Sequence, residues 1–150
     1  MKLYISGYGK MGRMIEKIIL SRGLEYAGWT EAVTETDSGL AKECVCIDFT
    51  TPAAFRANYR FLAENFKAVV VGTTGFSEEQ MESNIKNVKD NNVPAVISSN
   101  MAIGVNVFFN TLKKLAPLLY DYDIEIIEAH HNQKKDAPSG TAVTAFEVIA

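Results

Sequence analysis

Three glycines, Gly7, Gly9 and Gly12, directly follow the β-prone run Lys2 to Ser6. They overlap the start of a series of apolar residues at helical spacing: Met11, Met14, Ile15, Ile18 and Ile19. Arg22 and Gly23 supply the stop. A strand that turns through glycines into a helix packs that helix back over itself, and the last glycine lets the two approach. No other feature constrains the fold as strongly. The turn also faces the free N–H groups and positive dipole end of the helix, which hold phosphate without a side-chain charge. Lys10 adds one. Gly7, Tyr8, Gly9, Lys10, Met11 and Gly12 therefore form a candidate dinucleotide-binding turn, the alternative being a plain strand-to-helix connection.

The rest of the first hundred residues repeats the alternation. Strands are expected at Glu25 to Thr30, Cys44 to Phe49, Ala68 to Val71 and Ala95 to Ser98. Pro52 opens a helix through about Asn65, and Ser77, followed by Glu79 and Gln80, opens another that ends near Asn91. Alternating β and α segments with short connections predict an α/β fold: a Rossmann-type parallel sheet with helices on both faces and ligands beyond the strands' carboxyl ends. The texture changes after Asn100. Phe108, Leu112, Leu115 and Leu119 mark an amphipathic helix, Asp123 to Ala129 is expected as a strand, and a last helix begins at Ser139. The boundary is placed between residues 1–100, the dinucleotide-binding domain, and residues 101–150, the beginning of a second α+β domain. One strand and two helices make a poor domain alone, so this part is read as a fragment or as a unit that completes its sheet with another chain.

Composition narrows the function classes. The chain is 47% apolar and carries a net charge of −3. No Lys/Arg stretch runs along a face, which argues against nucleic-acid and membrane partners and makes small-molecule chemistry the default. Met1 to Ser6 runs straight into the glycine turn without a signal-peptide pattern, and no apolar run spans a bilayer, so a cytoplasmic location is expected. Cys44 and Cys46 alternate within one strand-like run and are expected to be buried, reduced thiols.

Glu31 stands at the end of the second strand, where a carboxylate accepts from the adenosine ribose and repels a 2′-phosphate. This favours NADH, with NADPH possible; a solvated glutamate is the alternative. Asp48-Phe49-Thr50-Thr51-Pro52 and Gly72-Thr73-Thr74-Gly75 each end a strand, and both are placed along the nicotinamide half of the crevice. Either alone reads equally as turn chemistry. The segment from Glu128 to Thr141 concentrates both histidines and the pair Lys134 and Lys135. No third ligand accompanies the histidines, so no metal is expected. An imidazole near its ordinary pKa suits proton delivery to nitrogen when a C=N bond is reduced. Pro138-Ser139-Gly140-Thr141 turns into a helix N-terminus suited to an oxyanion, and the lysines suggest a substrate with more than one negative charge. Taken singly, these residues also read as a solvated loop and an ordinary N-cap.

At this segment, Glu128-Ala129-His130-His131 followed by Lys134 to Ala142, the chain resembles the dihydrodipicolinate reductases. The resemblance extends through the glycine turn, Asp48 to Pro52, Gly72 to Gly75 and Asn100 to Asn106. It implies an NAD(P)H-dependent reductase of the cyclic imine dicarboxylate 4-hydroxy-tetrahydrodipicolinate, in diaminopimelate and lysine biosynthesis. By this similarity His130 is the proton donor and acceptor, and Lys134 the second proton donor. His131, Gly140 and Thr141 contact the substrate carboxylates, with Ser139 in the same pocket. Cofactor contacts are implied at Gly7 to Gly12, Glu31, Gly72, Thr73, Thr74, Ser98, Ser99, Asn100 and Met101. The family also implies a second domain that carries substrate and builds a homo-tetramer, closing on the first about a hinge near Asn100. Three departures stand out. Met101 and Ala102 replace the family's usual Phe and Ser. The glycine turn is one residue tighter than in many members, with Lys10 where arginine is common. The family also continues well past residue 150. A truncated NAD(H)-binding module without turnover is the alternative; a redox-sensing regulator would require an effector element that the sequence does not offer.

Overall fold

The computed structural model describes residues 1–132 and 137–150, with residue 78 described by its backbone alone. The two short-period runs nearest the glycine turn pair first. β1 (Lys2–Ser6) lies parallel to β2 (Glu25–Thr30) on one side and to β3 (Cys44–Asp48) on the other. β4 (Ala68–Val71) and β5 (Ala95–Ile97) extend the sheet beyond β3, giving the order β2-β1-β3-β4-β5, all parallel.

Burial on both faces explains why these strands are so apolar. Leu3 and Ile5 of β1 point to one face with Ile19 of α1 (Lys10–Ser21) and the partly buried Val45 and Ile47. Tyr4, Cys44, Cys46, Val69 and Val71 point to the other, against Phe55 and Leu62 of α3 (Pro52–Asn65). The period of two along β1 and β3 thus feeds two cores at once. Burial pushes the Cys46 thiol well above its usual pKa, the nearby Asp48 adding to the shift; both cysteines are free and buried. α3 opens as its sequence predicts, with Thr51 Oγ1 accepting from the Ala54 N–H at 3.2 Å and Pro52 in the first turn. Ser77 and Gln80 form a reciprocal capping box at the start of α4 (Glu78–Asp90).

Two short elements escape the sequence pattern. Residues Val33–Glu35 form one 3-10 turn, and α2 (Ser38–Glu43) is capped by Asp37, which accepts from the Leu40 N–H at 2.9 Å. Six residues with a glycine among them are too few to show a helical period.

The chain divides into two compact units, Met1–Ser98 and Ser99–Ala150. In the second, α5 (Ile103–Leu115) and α6 (Gly140–Ile149) contact each other. The expected extension of α5 to Leu119 stops at Leu115. Pro117 lacks an N–H for the helical ladder, and residues Ala116–Leu118 tighten into a single 3-10 turn. The strand expected at residues 123–129 is also not formed among the described residues. A strand needs a neighbour for its N–H and C=O groups, and the described elements of this unit are helical. Among the described residues, no helix is long and apolar enough to cross a membrane.

Candidate functional site

In the first unit the strands end in register. Ser6 pairs with Thr30 and Asp48, and Asp48 pairs with Val71. The chain runs from β1 to β2 on one side and returns to β3 on the other, so the strand order reverses at β1. A crevice opens outside the carboxyl ends at such a point.

The glycine turn sits there, and its three glycines differ in what requires them. Gly7 has φ +88°, and a methyl group on it would lie 2.6 Å from the Phe49 carbonyl oxygen. One on Gly12 would lie 2.2 Å from the Gly7 carbonyl oxygen. The fold itself demands both. Gly9 has ordinary extended angles, φ −75° and ψ −156°, and a methyl there would meet nothing within 4 Å. Its bare backbone faces open space, and among the described residues no side chain caps the N-terminus of α1 that it begins. A pyrophosphate fits this arrangement, since it needs backbone approach and unclaimed N–H donors.

On the β2 side, Glu31 Oε1 accepts from the Tyr8 N–H at 2.9 Å, and Thr30 O accepts from the Gly7 N–H at 2.9 Å. The carboxylate therefore stands against the turn. The Tyr8 ring stacks on Trp29 at 4.0 Å and 9°, and the Arg13 guanidinium lies over the Tyr8 ring, 5.6 Å from its centre. The Tyr8 hydroxyl donates to Glu16, which raises its pKa.

On the β3 side lies a polar centre. Asp48 is fully buried. Its Oδ2 accepts from Ser6 Oγ at 2.7 Å, and its Oδ1 from Thr73 Oγ1 at 2.6 Å and Thr50 Oγ1 at 3.0 Å. Thr73 Oγ1 in turn accepts from the Thr50 N–H at 2.8 Å. The Phe49 ring packs on Gly72 so closely that any side chain there would overlap it. The ends of β1, β3 and β4 are thus tied into one rim. Thr73 is buried with its hydroxyl engaged in this web, whereas Thr74 is exposed.

The second unit gathers a different set. Asn100 Oδ1 accepts from the Ala102 N–H at 2.9 Å, and Asn106 donates to the Asn100 carbonyl at 2.9 Å, fixing the entry to α5. Asn100 Nδ2 donates to Thr141 Oγ1 at 3.3 Å. Residues expected at cofactor and at substrate therefore meet within this unit. Ser139 caps α6 by accepting from the Ala142 N–H at 3.1 Å, and its own N–H donates to Glu128 Oε1 at 2.9 Å. Glu128 Oε2 lies 3.6 Å from His130 Nδ1. Glu125, Glu128, His130, Ser139 and Thr141 form the polar part of a cavity of about 420 Å³, whose apolar part includes Phe108, Leu112, Ile124 and Ile126. His130 and His131 are both exposed. Lys134 and Lys135 lie outside the described residues. Among the described residues, no group of His, Cys, Asp or Glu is arranged to hold a metal.

Two family models match in succession: "Dihydrodipicolinate reductase, N-terminus" over residues 1–101 and "Dihydrodipicolinate reductase, C-terminus" over residues 104–150. The chain belongs to the dihydrodipicolinate reductase family. A 4-hydroxy-tetrahydrodipicolinate reductase of Methanobrevibacter smithii is 69% identical over 110 residues, covering 73% of this chain and 40% of the relative. That of Methanoculleus marisnigri is 43% identical over 164 residues, covering 99% of this chain and 65% of the relative. The solved dipicolinate-bound dihydrodipicolinate reductase from Paenisporosarcina sp. TG-14 superposes with a TM-score of 0.75 at 27% identity. That match covers 99% of this chain and 65% of the other. The chain therefore spans about 40% to 65% of the length of these dihydrodipicolinate reductases. The five-stranded sheet and its helices are the Rossmann-type fold of this family.

Sequence reasoning did not assign three features of the site. Ser6 marks only the end of a strand in the sequence pattern, although a hydroxyl ending one strand beside a carboxylate ending the next is a readable signal. Neither the Tyr8–Trp29 stack nor the Glu128–Ser139 link was foreseen. The latter joins residues eleven apart across a polar loop, and no local pattern encodes it.

Proposed function

We propose that the chain carries the cofactor-binding part and the start of the substrate-binding part of a cytoplasmic, homo-oligomeric 4-hydroxy-tetrahydrodipicolinate reductase, tetrameric as the family resemblance suggests. Dipicolinate bound to the Paenisporosarcina relative supports a ring dicarboxylate as substrate class. One observation in this chain carries the reading furthest. His130 lines the same cavity as the helix N-terminus at Ser139 and Thr141, so a proton donor and an anion-binding terminus converge.

When bound, NAD(P)H supplies the hydride that reduces the imine carbon. The chain's own residues do the rest. The turn from Gly7 to Gly12 receives the pyrophosphate on the backbone N–H groups that follow Tyr8, since those of Gly7 and Tyr8 are held by Thr30 and Glu31, with Lys10 adding charge. Glu31 accepts from the adenosine ribose and disfavours a 2′-phosphate, hence NADH over NADPH. Gly72, Thr73 and Thr74, with Ser98, Ser99, Asn100 and Met101, line the cofactor's other half; Thr73 acts through its hold on Thr50 and Asp48. His130 delivers the proton to the ring nitrogen, assisted by Lys134, while His131, Gly140 and Thr141 bind the carboxylates. Because the Ser139 N–H is engaged by Glu128, the carboxylate would rely on the amides that follow it.

A second reading, an NAD(H)-binding module without turnover, is favoured by residues 123–129. They form no ladder, and Ile127 is 88% exposed. Calorimetric titration with NADH and then with pyridine-2,6-dicarboxylate separates the two. The reductase reading predicts heat from both ligands, and His130→Gln and Lys134→Ala should abolish turnover while leaving NADH affinity within about twofold. Heat from NADH alone would favour the module.

A further inference from the structure

The Asp48 carboxylate is fully buried in the first unit, and the proposed reaction makes no direct use of it. It is fully buried and accepts from three neutral hydroxyls, those of Ser6, Thr50 and Thr73. Every one of these contacts is a donor to the carboxylate, which suits its acceptor-only, anionic form. No Lys, Arg or His among the described residues lies within ion-pair distance of it. A buried anion without a cation projects a field that water does not screen.

Position gives that field a target. Glu31 and Asp48 flank the glycine turn from opposite sides, at the carboxyl ends of β2 and β3. A dinucleotide whose adenosine lies at Glu31 and whose phosphates lie at Gly9 extends its nicotinamide toward β3 and β4, over the rim that Asp48 holds. The nicotinamide is neutral when reduced and positively charged when oxidised.

We propose that Asp48 is an electrostatic positioning residue, whose buried charge favours the oxidised over the reduced nicotinamide and so helps the donor ring release hydride. This rests on the cofactor reading above. In the balanced step the C–H bond of the reduced ring breaks with its electron pair, which forms a C–H bond at the imine carbon. The imine nitrogen takes a proton, and the ring is left cationic. A negative charge beneath the ring is matched to the charge that appears there. The three hydroxyls donate to the carboxylate without cancelling its charge, as a lysine in their place would.

The test compares dissociation constants for NAD+ and NADH, measured by calorimetry on the whole chain. Asp48→Asn keeps the shape and removes the charge, and should raise the ratio Kd(NAD+)/Kd(NADH) about tenfold. Thr73→Val removes one hydroxyl and keeps the charge, so it should weaken both forms alike. A purely structural role predicts that Asp48→Asn behaves as Thr73→Val does, with both constants rising and their ratio unchanged; that result overturns the inference. If Asp48→Asn does not fold, Asp48→Ser, which leaves space for water among the same hydroxyls, carries the same comparison. A wild-type chain that binds neither form overturns the cofactor reading and this inference with it. Wild-type binding with an unmoved ratio overturns this inference alone.

Discussion

Within the glycine turn, the same residue type serves two different ends. Gly7 and Gly12 are held by backbone contacts, whereas a methyl on Gly9 would meet no atom of the described residues within 4 Å. Gly7→Ala should therefore cost about 2 kcal/mol or more in thermal denaturation, because it imposes both a strained φ and an overlap with Phe49. Gly9→Ala should leave the melting curve essentially unchanged yet weaken NADH binding at least about tenfold, since the added methyl occupies only the space a phosphate needs. Equal effects at the two positions would contradict that division. The Tyr26 hydroxyl makes the opposite case, a buried polar atom that makes no hydrogen bond among the described residues. Burial, with the Glu16 carboxylate second, pushes its pKa far up. Tyr26→Phe should leave stability unchanged or raise it by about 1 kcal/mol in urea denaturation, and a clear loss would show that the hydroxyl has a partner in solution.

Among the elements, those that encode their own ends were the ones the sequence made legible. Thr51-Pro52 and Ser77 with Gln80 state where α3 and α4 begin, and both helices start there. Ser77→Ala should lower the urea midpoint by an amount equivalent to about 1 kcal/mol, because it removes the acceptor for the Gln80 N–H; an unchanged midpoint would place α4's stability elsewhere. α2 was not legible, since one turn and a half held by Asp37 shows no period. Residues 123–129 misled for a different reason. Alternation of Ile124, Glu125 and Ile126 states that a segment can be a strand, but a ladder also needs a neighbour, and that information is not local. Pro117 ends α5 at Leu115 despite apolar spacing that continues to Leu119.

For the molecule as a whole, strand order decides what the chain can hold. Strand ends in register bring Ser6, Thr30, Asp48 and Val71 into one row, and with them the loops that follow, which lie far apart in sequence. The glycine turn and Glu31 were readable as parts of it because their spacing is itself the motif. The hydroxyl web around Asp48 was not, because it exists only once β1, β3 and β4 are neighbours. In the second unit the pairing of His130 with the α6 N-terminus was suggested by closeness in sequence, while the Glu128 link beneath it needed the fold. The dinucleotide site is tested most directly by titration of NADH into the chain, followed by calorimetry and by the emission of its single tryptophan. Trp29 stacks on Tyr8 inside the turn, so binding should give one saturable transition at micromolar NADH with the heat and the fluorescence change coinciding. Absence of both signals up to millimolar NADH, with the chain shown to be folded, would contradict it.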